Sequence, residues 1–121
     1  MSRFGDMFKA LRIESGQTLR AFCTTHRFDP GNTSRLERGL LGAPESDEKL
    51  AEYADALRLP EGSERRQQFF DVAAAERGRI PTDLLSDEEL VEKLPVVFRT
   101  IRGAKADGDA LDQLAEKLRE A

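Results

Sequence analysis

The chain has few of the residues that build catalytic or metal-binding sites. Among 121 residues there is one cysteine, one histidine, one tyrosine and no tryptophan. The lone Cys23 excludes a disulfide within the chain and a cysteine-based zinc site, and we expect it to be a small buried hydrophobic residue. The lone His26 leaves no histidine pair for a metal, and no Ser/His/Asp or Cys/His group is assembled. We therefore expect that the protein is not an enzyme and that it binds no metal and no cofactor.

Long apolar runs are also missing. No segment is long and apolar enough to cross a bilayer, and no charged-then-apolar leader is present, so we expect a cytoplasmic protein. Hydrophobic residues make up 39% and charged residues 35% of the chain, which is typical of a soluble, mostly helical protein with a modest core. The length suits one domain, or a small domain with an appendage.

Positive charge is scarce overall but unevenly distributed. The formal net charge is −4, yet residues 1–44 hold seven Lys and Arg against four Asp and Glu, a balance of +3, and the remainder carries −7. This asymmetry predicts a basic face at the amino end and an acidic half that dimerises or binds a partner. Ordinary surface charge remains an alternative interpretation, because +3 is modest for a DNA-binding protein.

A short helix between Asp29 and Gly39 is the most informative element. Asp29 is suited to cap its start, Pro30 to occupy its first position and Gly39 to end it. Such a helix is too short to be stable alone, so its apolar residues must fix it to a larger body. Its polar edge predicts base contact in a DNA major groove, through the donors Asn32, Ser34, Arg35 and Arg38.

Apolar spacing predicts helices on both sides of this element. A first helix closes at Ser15-Gly16, and a second begins at Thr18 and reaches about Arg27. Phe28 is expected to fill the core at the following turn. Leu40 and Leu41, in the loop after Gly39, are expected to tuck under the domain.

The sequence of the second half also predicts helices. Ser46 is expected to cap a fourth helix, and a fifth runs from Ser63 or Glu64 to Arg77. Ser86 and Glu89 have the spacing of a capping box that starts another helix. Pro95 is expected to interrupt that helix, and residues 95–102 fit either a short helix or a strand.

The end of the chain repeats the amphipathic pattern. Gly103 to Gly108 is predicted to be a hinge, and a last helix starts at about Asp109. A terminal helix this short cannot bury its leucine stripe by itself. We expect it to dock on the chain or on a second subunit.

The first half resembles the Xre/Cro-type helix-turn-helix regulators. The resemblance lies in Gly16-Gln17-Thr18-Leu19-Arg20-Ala21-Phe22-Cys23 and in Ser34-Arg35-Leu36-Glu37-Arg38-Gly39, and it covers roughly residues 4–59. It implies a mainly α fold, with a lambda-repressor-like DNA-binding domain at 1–62 followed by a helical dimerisation and partner-binding region at 63–121.

The resemblance also assigns roles to individual residues. It implies that Asn32, Ser34 and Arg35 face the bases, with Arg35 the candidate for a bidentate guanine contact. Phosphate contacts fall to Thr18, Arg20 and Arg38.

The motif contains an acidic residue, and the chain departs from the family pattern in two places. We expect Glu37 to bond within the domain, since an acid beside phosphates would repel them. The chain departs from the family at Leu19, where many members carry a phosphate-clamping Gln, and in the uncharged loop Leu40–Pro44. Weak half-site affinity follows, which makes dimerisation more necessary.

Residues 63–121 contain the stretches Ala73-Ala74-Ala75-Glu76-Arg77-Gly78-Arg79-Ile80-Pro81 and Leu94-Pro95-Val96-Val97-Phe98-Arg99-Thr100-Ile101-Arg102-Gly103. With these they resemble, less specifically, the tails of regulators beside toxin–antitoxin and phage-defence operons, including CapH-type repressors. The expected dimerisation residues are Phe69, Phe70, Leu90, Val97, Phe98, Ile101, Leu111, Leu114 and Leu118. The expected function is a homodimeric repressor of an inverted-repeat operator on double-stranded DNA, controlling its own toxin–antitoxin or phage-defence operon. The alternative is an antitoxin or interaction module that binds a toxin or an ImmA/IrrE-like metallopeptidase through this half.

Overall fold

A computed structural model describes residues 3–105, 112–113 and 115–116, and within these ranges the protein is helical with no strand. The mainly α prediction is confirmed at that level. The helices are α1 (Arg3–Glu14), α2 (Leu19–His26), α3 (Pro30–Glu37), α4 (Asp47–Ala56), α5 (Glu64–Glu76), α6 (Thr82–Leu85) and α7 (Glu88–Lys105). They form two compact units, the first ending at Pro81 and the second beginning at Thr82.

Aromatic rings fill the core of the first unit. Phe8 of α1 lies at its centre, with ring centroids 5.6 Å from Phe22 of α2 and 5.0 Å from Tyr53 of α4. Both pairs meet edge to face, an arrangement that aromatic quadrupoles favour. Phe4 and Phe69 extend the cluster to α5, with centroids 5.0 Å apart. The core therefore joins four helices through a few large side chains.

Capping side chains fix where the helices of this unit begin. Thr18, Asp29, Ser46 and Ser63 each accept a hydrogen bond from the backbone N–H three residues later. The predicted starts of α2, α3, α4 and α5 are confirmed. Cys23 is buried as expected, and Phe28 packs against the core with its ring 4.8 Å from that of Tyr53.

The fifth helix belongs to the first unit, which therefore extends past the predicted boundary at residue 62. Phe69 of α5 is fully buried among Phe4 and Phe8, so a dimer interface cannot use its side chain while this core is intact. Hydrophobic periodicity identified the helix and its apolar side chains. It does not say whether such a side chain meets its own domain or a second subunit.

The loop after α3 differs from its prediction. Leu40 and Leu41 are 64% and 40% exposed, so the expectation that they tuck under the domain is wrong. Ala43 is the buried residue instead. Its N–H donates to Glu76 Oε2 at 2.9 Å and its carbonyl accepts from the Arg77 guanidinium. Polar contacts with the end of α5 hold the loop, and its leucines face solvent.

The second unit corrects three local predictions. Ser86 does not cap α7: its hydroxyl donates to Asp83 O, and Asp87 Oδ1 accepts from Leu90 N at 3.2 Å instead. Pro95 lies inside α7 and does not end it, so residues 95–102 are helical. Gly103, placed in a hinge by its sequence, is also helical. The rest of the predicted hinge after Lys105 lies outside the described residues, as do Leu111, Leu114 and Leu118.

Phe69→Ala tests the extended first unit. Loss of a fully buried phenyl ring should destabilise the protein by about 3–5 kcal/mol, measured by urea unfolding followed by circular dichroism. Gln68→Ala, at the neighbouring exposed position of the same helix, is the control and should leave the midpoint unchanged. An unaltered midpoint for Phe69→Ala, accompanied by loss of self-association, would place Phe69 in an interface.

Candidate nucleic-acid interface

Two short helices meet at a three-residue turn and place most of the predicted DNA-binding residues. Helix α2 ends at His26 and is followed by Arg27, its C-cap, whose φ of 61° is left-handed. Asp29 then caps α3 by accepting from Asn32 N at 2.8 Å. Pro30 occupies the first helical position, as predicted. Gly39 follows the end of α3 and has a left-handed φ of 78°. The backbone N–H groups of Gly39 and Leu40 donate to the carbonyl oxygens of Leu36 and Arg35, which closes the helix.

Helix α3 has one buried and one exposed side. Thr33, Leu36 and Glu37 are buried, and the Thr33 hydroxyl donates to Asp29 O at 2.9 Å. On the other side, Asn32, Arg35 and Arg38 are exposed and Ser34 is half-buried. The four side chains that the sequence assigned to base or phosphate contact on α3 therefore share the solvent side of one helix.

Contacts within α3 arrange part of this polar edge. Arg35 Nη1 donates to Asn32 Oδ1 at 2.7 Å, and Arg38 Nε lies 3.4 Å from Ser34 O. The first is a short, charge-assisted hydrogen bond, and the second is at the long limit. The Arg35 guanidinium is thus held toward the beginning of the helix.

A buried ion pair fixes the underside of α3 to α1. Arg12 Nε and Nη2 donate to the two Glu37 carboxylate oxygens at 2.7 and 2.9 Å, and both side chains are less than a tenth exposed. The hydrogen bond with Glu37 raises the pKa of Arg12, which keeps it charged. A third donor, Arg12 Nη1, bonds to Gln17 O just before α2. One guanidinium therefore connects three segments around the candidate interface.

The expected role of Glu37 inside the domain is confirmed, but its partner was missed. The charge count treated Arg12 as part of the basic amino-terminal half, whereas its charge is buried and neutralised. Helical spacing contained a signal, because Arg12 lies four residues after Phe8 on the apolar stripe of α1. Sequence alone does not tell whether such an arginine extends its charge to water or buries it.

The two predicted phosphate-binding residues on α2 are exposed. Thr18 Oγ1 accepts from Ala21 N at 3.1 Å as the helix cap, which leaves its hydroxyl hydrogen available to donate. Arg20 lies in the first turn of α2. Leu19, the departure from the family pattern, is half-buried and packs against the core.

Gln17 has a structural role that the sequence did not reveal. Its Nε2 donates to Ser15 Oγ at 2.8 Å and approaches Ala56 O at 3.3 Å, while its Oε1 lies 3.0 Å from His26 Nε2. It therefore connects the two ends of α2 to the end of α4. His26 is the last residue of α2.

The predicted dimerisation residues occupy different environments. Phe69 is buried in the first unit, and Phe70 is half-buried with the Arg66 guanidinium 5.8 Å from its ring centroid. Leu90 is half-buried on α7. The α7 residues Val97, Phe98 and Ile101 are 37%, 41% and 36% exposed.

The part of the chain that the structure describes contains neither a metal-binding cluster nor a membrane-spanning helix. There, no group of three or more His, Cys, Asp and Glu side chains has the arrangement of a metal site. None of the described helices is both long enough and apolar enough to span a membrane.

No protein-family model, curated protein or solved structure matches the chain.

Glu37→Gln tests whether the buried pair secures α3. The change leaves the Arg12 charge buried without its counter-charge, so the free energy of unfolding should fall by about 3 kcal/mol in urea titrations. The control is Glu14→Gln, which breaks the exposed pair between Glu14 and Arg65 and should leave the midpoint unchanged. Equal midpoints for Glu37→Gln and the parent would show that the pair does not hold α3.

Proposed function

We propose that the protein is a cytoplasmic, sequence-specific DNA-binding repressor that acts as a homodimer on an inverted-repeat operator. In this proposal α2, the turn at 27–29 and α3 form a helix-turn-helix, and α3 enters the major groove. The observation that carries the proposal is the exposed polar edge of α3 on a helix whose opposite side is buried and ion-paired.

The chemistry of that edge fits base recognition. Arg35 offers a planar fork of donors that matches the O6 and N7 acceptors of guanine, and such contacts are the commonest specific ones in the major groove. The buried side of α3 leaves no freedom for the helix to roll, since Thr33 and Glu37 are both hydrogen-bonded. A rigidly held helix can place its donors in register with base edges.

The surrounding groups fit the DNA backbone. Thr18 and Arg20 lie at the start of α2, where a hydroxyl, a cation and unpaired backbone N–H groups favour a phosphate. Arg38, at the other end of α3, supplies a second cation. The net positive charge of residues 1–44 is only +3, so a single subunit should bind weakly and two linked subunits much more tightly.

Helix α7 supplies the proposed dimer surface. Leu90, Leu94, Val97 and Ile101 are spaced three and four residues apart, so they share one side of the helix, with Phe98 beside them. Alternate three- and four-residue spacing of apolar side chains is typical of helices that pair. We therefore assign this side of α7 to contact with a second copy.

Partner binding is the second candidate function, and the same side of α7 favours it. Its apolar side chains would then contact a toxin or another protein, with DNA binding secondary. The two functions differ in the state of the isolated chain. In the absence of any other protein, a repressor dimerises through α7, whereas a dedicated partner-binding module stays monomeric.

Arg35→Ala tests the groove contact. With a duplex selected by the parent protein from a randomised library, the variant should bind about 5- to 100-fold more weakly, as measured by fluorescence anisotropy. Arg35→Lys keeps the charge but loses the planar fork, so it should also lose discrimination. Arg65→Ala removes one charge from α5 and is the matched control. Unchanged affinity for both Arg35 variants would refute the assignment.

Ile101→Glu tests the dimer surface. A charge on the paired side of α7 should convert a dimer to a monomer in sedimentation analysis and weaken operator binding. Val96→Glu is the control, because Val96 is 62% exposed and lies about 140° around the helix axis from Ile101. The dimer assignment is wrong if the parent is monomeric at micromolar concentration, or if both variants dimerise equally well.

A further inference from the structure

The shortest contact on the exposed side of α3 joins two residues assigned to base reading. Asn32 Oδ1 accepts from Arg35 Nη1 at 2.7 Å, and the residues are three apart, so they lie on the same side of the helix. Both side chains are exposed. This contact commits the amide oxygen of Asn32 to a neighbour within the protein.

The residues around this pair hold it in place. The backbone N–H of Asn32 donates to Asp29 Oδ2 at 2.8 Å, so the residue that carries the amide is itself anchored by the helix cap. The guanidinium lies over the first turn: both Arg35 Nη atoms are 3.6 Å from the position that a Cβ would take at Gly31. The same position is 3.3 Å from Asp29 Oδ2, so the carboxylate that caps the helix also lies beside Gly31.

The contact limits what Asn32 can read. Asparagine recognises adenine through two hydrogen bonds, in which the amide oxygen accepts from N6 and the amide nitrogen donates to N7. The Asn32 oxygen keeps a second lone pair, but its hydrogen bond to Arg35 fixes the orientation of the amide, so Asn32 is not free to turn both its oxygen and its nitrogen toward one adenine. Arg35 has five N–H donors and spends one on Asn32, so it keeps enough for both guanine acceptors.

We propose, on the basis of the proposed DNA-binding function, that Asn32 is a positioning residue and that the Asn32–Arg35 pair reads a single guanine in each half-site. Arginine has many rotamers, and ordering them on binding costs affinity. A hydrogen bond made before DNA arrives reduces that cost. Asn32 then acts through Arg35, and it specifies no adenine of its own.

The experiment is selection of duplexes from a randomised library by the full chain and its variants, followed by affinity measurements on the parent's selected site. The variants are Asn32→Ala, Arg35→Ala, the double variant and Asn32→Asp. Thermal melting of each variant checks that it folds. The readouts are base preference at each position and the fold-change in affinity.

The proposal predicts a distinct result for the parent and for each variant. The parent selects guanine at one position per half-site, and Arg35→Ala loses that preference. Asn32→Ala weakens the preference at the same position by about 3- to 10-fold, the double variant binds no worse than Arg35→Ala, and Asn32→Asp keeps the guanine preference because it retains the acceptor. The added negative charge of Asn32→Asp lowers affinity for all sequences alike.

Other results overturn the proposal. Loss of an adenine at a different position in Asn32→Ala, or costs of the two alanine changes that multiply in the double variant, would make Asn32 an independent base reader. Equal loss of guanine preference in Asn32→Asp and Asn32→Ala would also contradict it. All three outcomes leave DNA binding intact. If the parent selects no sequence, the proposed function fails together with this inference.

Discussion

The buried ion pair between Arg12 and Glu37 is the interaction on which the arrangement of the candidate interface depends. Both side chains lie in the interior, with two hydrogen bonds of 2.7 and 2.9 Å between them. Removing two charges from water is costly, and good geometry repays the cost only when both partners remain. The pair therefore constrains the position of α3 more than it adds net stability, because a shift of α3 away from α1 would leave two buried charges without their partners.

The backbones of α1 and α3 also approach each other closely. A Cβ at Gly5 of α1 would lie 2.3 Å from the carbonyl oxygen of Leu36, so α1 crosses the end of α3 where only glycine fits. The ion pair and the glycine contact lie on opposite ends of α1 and act on adjacent residues of α3. Together they orient the helix so that Asn32, Arg35 and Arg38 remain in solvent.

Much of the first unit could be predicted from sequence, since its signals are local. Capping residues such as Thr18, Asp29 and Ser63 fix helix starts through contacts three residues away, and apolar spacing identifies the buried sides. The failures concern contacts distant in sequence. Phe69 packs on α1, and Glu76 and Arg77 hold the loop at Ala43, so neither the extent of the unit nor the exposure of Leu40 follows from local pattern. Pro95 shows a different limit, because proline lowers the preference for a helix without forbidding one.

The sequence predicts which residues belong to the candidate interface, but it does not predict the contacts between their side chains. Sequence placed donors on α3, but the commitment of Asn32 to Arg35 and of Arg12 to Glu37 depends on side-chain geometry.

The most direct test of the interface is an amide NMR titration of the isotopically labelled chain with a mixed-sequence duplex of about 20 base pairs at low salt, where phosphate contacts alone give binding. The proposed orientation of α3 predicts the largest shift changes at residues 18–20 and 31–38, reversed by added salt. Changes confined to α7, or none at any residue, would contradict it.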